Sequence, residues 1–314
     1  TLKAKALIAK VPPGPGTHLF IDLPPSSELI AALKLDDPGL PVQLYKQRAL
    51  AQYLLTGHIA GDQIEYSWVR KNYIEQGLTI SIIDGKVVAC STDSSYPARS
   101  DWAKVPLVGT APTAAGVVRE SVVGLARVRS WLELPAPPSG ASSGFPYHLA
   151  LRNRKTSVVE NTTAQQDQEY DLVLVADAAL PAKTKRKWVY VLNINCAGEG
   201  ALLYPFEAEG NQLPPEGTVP TEISLTKNGN PVTMVEPFGQ DTYILLTTSE
   251  QLPDPSVLNF QAVLRRGAAN GPVSPLEELL SSSSSGTRGP ARALPTDWSV
   301  SYVHLPSAKA PQGK

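Results

Sequence analysis

This chain holds little sulfur, few histidines and almost no net charge, and each shortage removes a class of explanation. Two cysteines, Cys90 and Cys196, among 314 residues cannot build a disulfide framework. They fall in separate predicted domains, so free thiols are expected. The four histidines never stand at i,i+4 helical spacing and match no zinc-ligand pattern, so no metal site and no cofactor is expected. With 28 basic residues against 29 acidic ones the formal charge is −1, which leaves no global field to draw in nucleic acid or an anionic membrane. No apolar run reaches the roughly 18–20 residues that cross a bilayer, so no membrane span is expected. A basic-then-apolar leader is also missing at Thr1, and a chain opening on threonine is expected to be a fragment or a processed product.

What is plentiful is turn chemistry. The 29 prolines and 23 glycines are spread along the sequence, which suits many short strands joined by tight turns. The length allows two domains, each with its own core. In 188–204, Trp188, Tyr190, Leu192 and Ile194 alternate with smaller or polar residues, the period-two signature of a strand with one buried face. Ala197-Gly198-Glu199-Gly200 supplies a turn and 201–204 restarts an apolar run, so the stretch reads as a β-hairpin. A strand before Gly-x-Gly can also open a dinucleotide-binding unit. That unit needs a helix after the glycines, and Tyr204-Pro205-Phe206 is a poor helix start.

The first third reads as small α/β, with strands over 19–23, 41–45, 53–57 and 64–69, a helix over 27–35 and a hairpin 78–83/86–90 about Asp84-Gly85. Over 114–134, Val118, Val122, Leu125, Val128 and Leu132 fall on one face at helical spacing, with Arg119, Arg127 and Arg129 off that stripe. A Pro/Ser/Gly linker follows. Strands are then predicted at 147–152, 170–176, 188–195, 201–204, 221–225, 231–235, 242–248 and 258–264. After a short helix at 275–281 and the serine tract 281–285, 298–304 alternates as a possible closing strand, and 306–314 is expected to fray. The fold class is α+β: a small N-terminal α/β domain (1–110), an amphipathic linking helix (111–135), a linker (136–144), a C-terminal antiparallel β-sandwich (145–272) and a tail (273–314).

Several motifs carry a resemblance. Tyr190-Val191-Leu192 before a glycine turn, Leu202-Leu203-Tyr204-Pro205, the run Pro237–Thr247 and the run Phe145–Arg152 resemble a β-sandwich domain of unknown function found after caspase-like domains in bacterial proteins. Leu276-Glu277-Glu278-Leu279-Leu280 with Trp298-Ser299 resembles the tail closing some members. The likeness is good over about 145–304. It is looser over 1–135, where Glu65–Arg70 and Ser100-Asp101-Trp102 are the recognisable pieces. The resemblance implies a non-catalytic, binding or regulatory C-terminal region of a caspase-like cysteine peptidase, with that catalytic domain as protein partner in cis or in trans.

Two alternatives come from other classes. A diverged cysteine hydrolase would use Cys90 as nucleophile and His58 as base. Caspase-like catalysis needs the cysteine at the end of a parallel strand with backbone N–H groups for the oxyanion. Here Ser91-Thr92-Asp93 follows the cysteine and an antiparallel hairpin precedes it. A stand-alone adhesion or carbohydrate-binding module would need an exposed aromatic row, with Trp68 and Trp102 as candidates. The basic run Lys183–Lys187 is expected to be a solvated loop, and Lys185, Arg186 and Lys187 are the contact candidates if it is not. Gly140-Ala141-Ser142-Ser143-Gly144 spells a nucleophile-elbow motif but lies in the linker, without strand or helix around it. Asp36-Asp37 and Glu277-Glu278 are neighbours in sequence and read as solvated charge. The longest loops of the β-rich half, 205–220 and 252–258, are the candidate binding surface.

Overall fold

The computed structural model describes residues 17–21, 27–35, 42–83, 86–92, 95–100, 102–106, 111–134, 145–177, 184–206, 210–217, 219–226, 230–252, 255–258 and 298–310. The Asp84-Gly85 turn, the linker with its glycine-serine motif, the 275–281 helix, the serine tract and both carboxylate pairs lie outside these residues.

The first half holds β1 (Thr17–Ile21), α1 (Ser27–Leu33), β2 (Val42–Leu44), β3 (Tyr53–Ala60), β4 (Gln63–Arg70), α2 (Lys71–Glu75), β5 (Ile80–Ile83), β6 (Lys86–Cys90), β7 (Ala103–Pro106) and α3 (Ala111–Leu132). Strands β2-β1-β3-β4-β7 form one sheet, parallel from β2 to β3 and antiparallel beyond. The β3–β4 turn places Gly61 at φ 64°, a left-handed conformation that costs glycine nothing. Helices α1 and α3 cover one face of this sheet over a core containing Leu19, Leu33, Leu55, Trp68, Val118 and Val122. Hairpin β5–β6 is a separate two-stranded antiparallel ribbon, bridged from Ala89 to Phe238 of the second half.

The second half is almost all strand: β8 (Tyr147–Asn153), β9 (Val159–Glu160), β10 (Ala164–Gln165), β11 (Glu169–Ala176), β12 (Lys187–Ile194), β13 (Gly200–Tyr204), β14 (Gln212–Leu213), β15 (Glu222–Ser224), β16 (Val232–Thr233), β17 (Gln240–Thr248) and β18 (Trp298–Ala308). One sheet runs β10-β18-β17-β12-β13 with β14 also on β12; the other runs β15-β11-β8-β9 with β16 also on β11. The two share a core to which Leu149, Leu151 and Leu172 contribute from one sheet, and Val189, Val191 and Leu245 from the other.

Strand β12 departs from the one-faced expectation. Val189 and Val191 face the shared core, while Tyr190, Leu192 and Ile194 pack with Val128, Trp131 and Leu134 at the end of α3. Both faces are therefore dry, and the alternation seen in the sequence separates two apolar environments instead of apolar from wet. Trp188 is only partly buried against this second core. Helix α3, expected as a link between two domains, packs into two apolar clusters, one with the first sheet and one with β12 and β17. Arg129, placed off its apolar stripe, is buried. Its guanidinium donates to Glu133 Oε1 at 3.0 Å, one turn on, and to Gln52 Oε1.

The closing strand is longer and more central than expected. β18 pairs with β17 along nine residues, Gln240↔Pro306 through Thr248↔Trp298, and reaches Ala308, so 306–308 do not fray. Ser307 N–H donates to Gly239 O at 2.7 Å, which anchors that end. Of the strand expected at 258–264, only Leu258 is described; it ends a turn of 3-10 helix, Pro255–Leu258, and is fully buried, and 259–264 lie outside the described residues.

Candidate functional site

A cleft of about 260 Å³ opens between the two sheets of the second half. β12 gives it Asn193, β17 gives Asp241 and Tyr243, and the segment around β16 gives Met234 and Val235; Phe206, just after β13, also lines it. Phe206 and Val235 are large apolar side chains, 68% and 65% exposed. Glu236 is a further acidic group of the lining, which among the described residues includes no lysine or arginine.

Asp241 is the unusual member. It is 7% exposed on a strand whose every residue is buried. Burial lifts its pKa to about 7 from the ordinary carboxylic value, opposed in part by a hydrogen bond from Ser307. Among the described residues, no cation offsets the desolvation of the charged form. A buried, uncompensated acid lining a cleft is a recognised physical mark of a functional position. Its charge also raises the already buried Tyr243 phenol, for which burial is the larger cause. The signal in sequence is slight: Gln240-Asp241 opens a strand that is otherwise apolar or hydroxylic.

Just before Asp241 in sequence, the two halves meet. Cys90 N–H donates to Phe238 O at 2.7 Å, and Phe238 N–H donates to Val88 O at 2.9 Å. The Cys196 thiol donates to the same Phe238 O at 3.4 Å. With its amide oriented to satisfy both neighbours, Gln240 donates to Thr92 O at 3.1 Å and accepts from Leu305 N–H at 2.9 Å. The cysteines have 105 residues between them in sequence, yet they are neighbours. Both are free thiols. Cys196 is held well above the ordinary thiol value, chiefly by its hydrogen bond with Cys90 and then by burial.

The cysteine–histidine pair is not assembled. His58 lies inside β3 and not at a strand end, paired with Glu65 across the ladder; its Nε2 is 3.6 Å from Glu65 Oε2 and its ring meets Trp102 edge-on at 4.7 Å. Cys90 ends an antiparallel strand against Phe238 and Cys196, an entirely different set of partners.

The aromatic and basic candidates are likewise drawn into structure. Trp68 is fully buried, its indole N–H donating to Val118 O at 3.1 Å. Trp131 and Trp298 are buried too. Trp102 is partly covered, with the Arg99 guanidinium 3.6 Å over its ring. These tryptophans do not form the exposed row that a glycan platform needs. In the basic run, Lys187 is buried as the first residue of β12 and reaches Ser249 Oγ at 3.4 Å. Arg186 donates to Pro214 O at 3.0 Å and to Gln212 O at 3.1 Å, pinning the 212–216 segment. A guanidinium satisfies several carbonyls at once, which explains why a basic residue is used structurally here. Lys185 alone of the three is exposed.

The loop candidates divide. In 252–258, Leu252 and Leu258 are core residues, and Leu252 N–H donates to the Tyr190 hydroxyl at 2.8 Å. In 205–220, Asn211 is buried, its side-chain amide donating to Val189 O at 2.8 Å, whereas Phe206 stays exposed at the cleft. Of the other histidines, His148 pairs with Asp177 at 2.6 Å, and His304 meets Thr242 Oγ1 at 3.0 Å.

Among the described residues, no group of three or more His, Cys, Asp or Glu side chains is placed to hold a metal ion, and no helix is long and apolar enough to cross a membrane. No family model, no curated protein and no solved structure matches the chain.

Proposed function

We propose that this chain is a non-catalytic binding region of a bacterial caspase-like protein, and that the cleft between its two sheets receives a lysine or arginine side chain from a partner protein, the caspase-like catalytic domain. The observation that carries the binding site is Asp241. A buried carboxyl with no cationic neighbour among the described residues gains most from a ligand that brings the cation with it. Glu236 adds to the negative potential, while Phe206 and Val235 offer apolar surface to the aliphatic stem of such a side chain. The caspase-like context rests on the sequence motifs of the hairpin and of the Pro237–Thr247 strand.

A photo-crosslinking residue placed at Phe206 in the source cells tests both parts. The expected result is an adduct with a caspase-like catalytic domain that disappears when Asp241→Asn is added. An adduct with an unrelated protein removes the peptidase context. The absence of any protein adduct, or an adduct indifferent to Asp241→Asn, removes the cleft.

A further inference from the structure

We propose that Cys90 and Cys196 form a thiol–disulfide exchange site, which takes a small disulfide of the glutathione class as co-substrate and covalently fastens the β5–β6 hairpin to the C-terminal sheet. Three observations converge on it. The Cys90 side chain is the largest influence on the Cys196 thiol although 105 residues of chain lie between them. Both are fixed against one peptide unit, because Phe238 O accepts from Cys90 N–H at 2.7 Å and from the Cys196 thiol at 3.4 Å. The next residue is Gly239, where an added Cβ would lie 2.8 Å from both Cβ and Sγ of Cys196 and 3.2 Å from Cys90 O. Only a residue without a side chain lets β6 and the Cys196 turn approach so closely.

The two thiols differ in access, which sets their order of reaction. Cys90 is partly exposed at the end of a hairpin, whereas Cys196 is buried. Exchange proceeds by thiolate attack through a mixed disulfide. The Cys90 thiolate attacks one sulfur of the external R–S–S–R, forming Cys90–S–S–R and releasing R–S⁻. The Cys196 sulfur then attacks the Cys90 sulfur, forming the internal disulfide and releasing the second R–S⁻. The two protein thiol protons leave on the two R–SH molecules, so the protein is oxidised by two electrons and the small disulfide is reduced by two. Excess R–SH reverses both steps. The hairpin is the element that responds: backbone hydrogen bonds of β6 already reach Phe238, and the disulfide makes that contact covalent.

The full chain, incubated with oxidised glutathione and mapped by mass spectrometry without reduction, tests this. The expected product is a monomer lighter by two hydrogens, with the Cys90 and Cys196 peptides joined, restored to two alkylatable thiols by dithiothreitol. Closing a loop of this length is expected to raise Tm by roughly 5–10 °C. Cys196→Ser should accumulate a stable glutathione adduct on Cys90, while Cys90→Ser should resist modification in the folded state. A wild-type chain that keeps glutathione on Cys90 beside a free Cys196, or that stays fully alkylatable after oxidation, overturns the proposal. That wild-type readout decides the matter even if a serine variant fails to fold.

Discussion

At the scale of single residues, Asp241 ties stability to pH with a sign opposite to that of a salt-bridged carboxylate. Its folded pKa, about 7, lies above the ordinary value of 3.8. Between the two values the folded chain holds a proton that the unfolded chain has released, so this group's contribution falls as pH rises through the window. Below about pH 4 both states are protonated and nothing is lost; above about pH 7 the full penalty applies, up to about 4 kcal/mol for a shift of this size. Asp241→Asn is therefore expected to melt several degrees above the wild type at pH 8 and close to it at pH 4, read by thermal denaturation across that range. A constant difference at all pH values would contradict the assignment. Such an aspartate is only half legible from sequence. Its place near the start of an apolar strand is visible, but the missing counter-charge is a property of the strands packed around it. The cysteine contact is less legible still, since nothing local in Val87–Cys90 or Asn195-Cys196 points to the other.

At the scale of elements, α3 shows where helical periodicity suffices and where it fails. Its stripe Val118, Val122, Leu125 and Val128 is buried as its spacing demands. The stripe does not reveal that the apolar face changes partner along the helix, from the N-terminal sheet to the outer face of β12 and β17. Arg129 lies near that change and is buried through partners that the helix itself does not supply, Gln52 among them. Gly116 and Gly124, by contrast, meet nothing within 4 Å of an added Cβ. Each is a helix-interior glycine without a packing reason, and Gly→Ala at either is expected to stabilise by roughly 0.5–1 kcal/mol. Chemical denaturation of the two single variants checks this, with a midpoint below that of the wild type as the contrary result. Hairpins β3–β4, β5–β6 and β12–β13 were readable because short turns with glycine fix their register locally. The two-residue pairings of β9, β10 and β14 were not, because segments that short carry no period.

For the whole molecule, the two halves share α3 and a run of backbone hydrogen bonds, so they are expected to unfold together. Tyr302 Oη donates to Trp131 O at 3.2 Å, and Ala98 N–H donates to Cys196 O at 3.2 Å, each across the junction. Calorimetry should show one transition, and Trp131→Ala should lower it intact at a cost of about 3–5 kcal/mol. A variant that splits into two transitions would show the halves to be separately stable. The position of β18 has a consequence for biosynthesis. Strand β17 is complete at Thr248, but its long-range partner begins only at Trp298 and ends at Ala308. While the ribosome adds the intervening segment, nine residues of β17 present an open edge with the apolar run Tyr243–Leu246 at its centre. This half of the protein therefore cannot finish folding during translation until residue 308 has cleared the exit tunnel, and a nascent chain stalled short of that point is a natural client for chaperones.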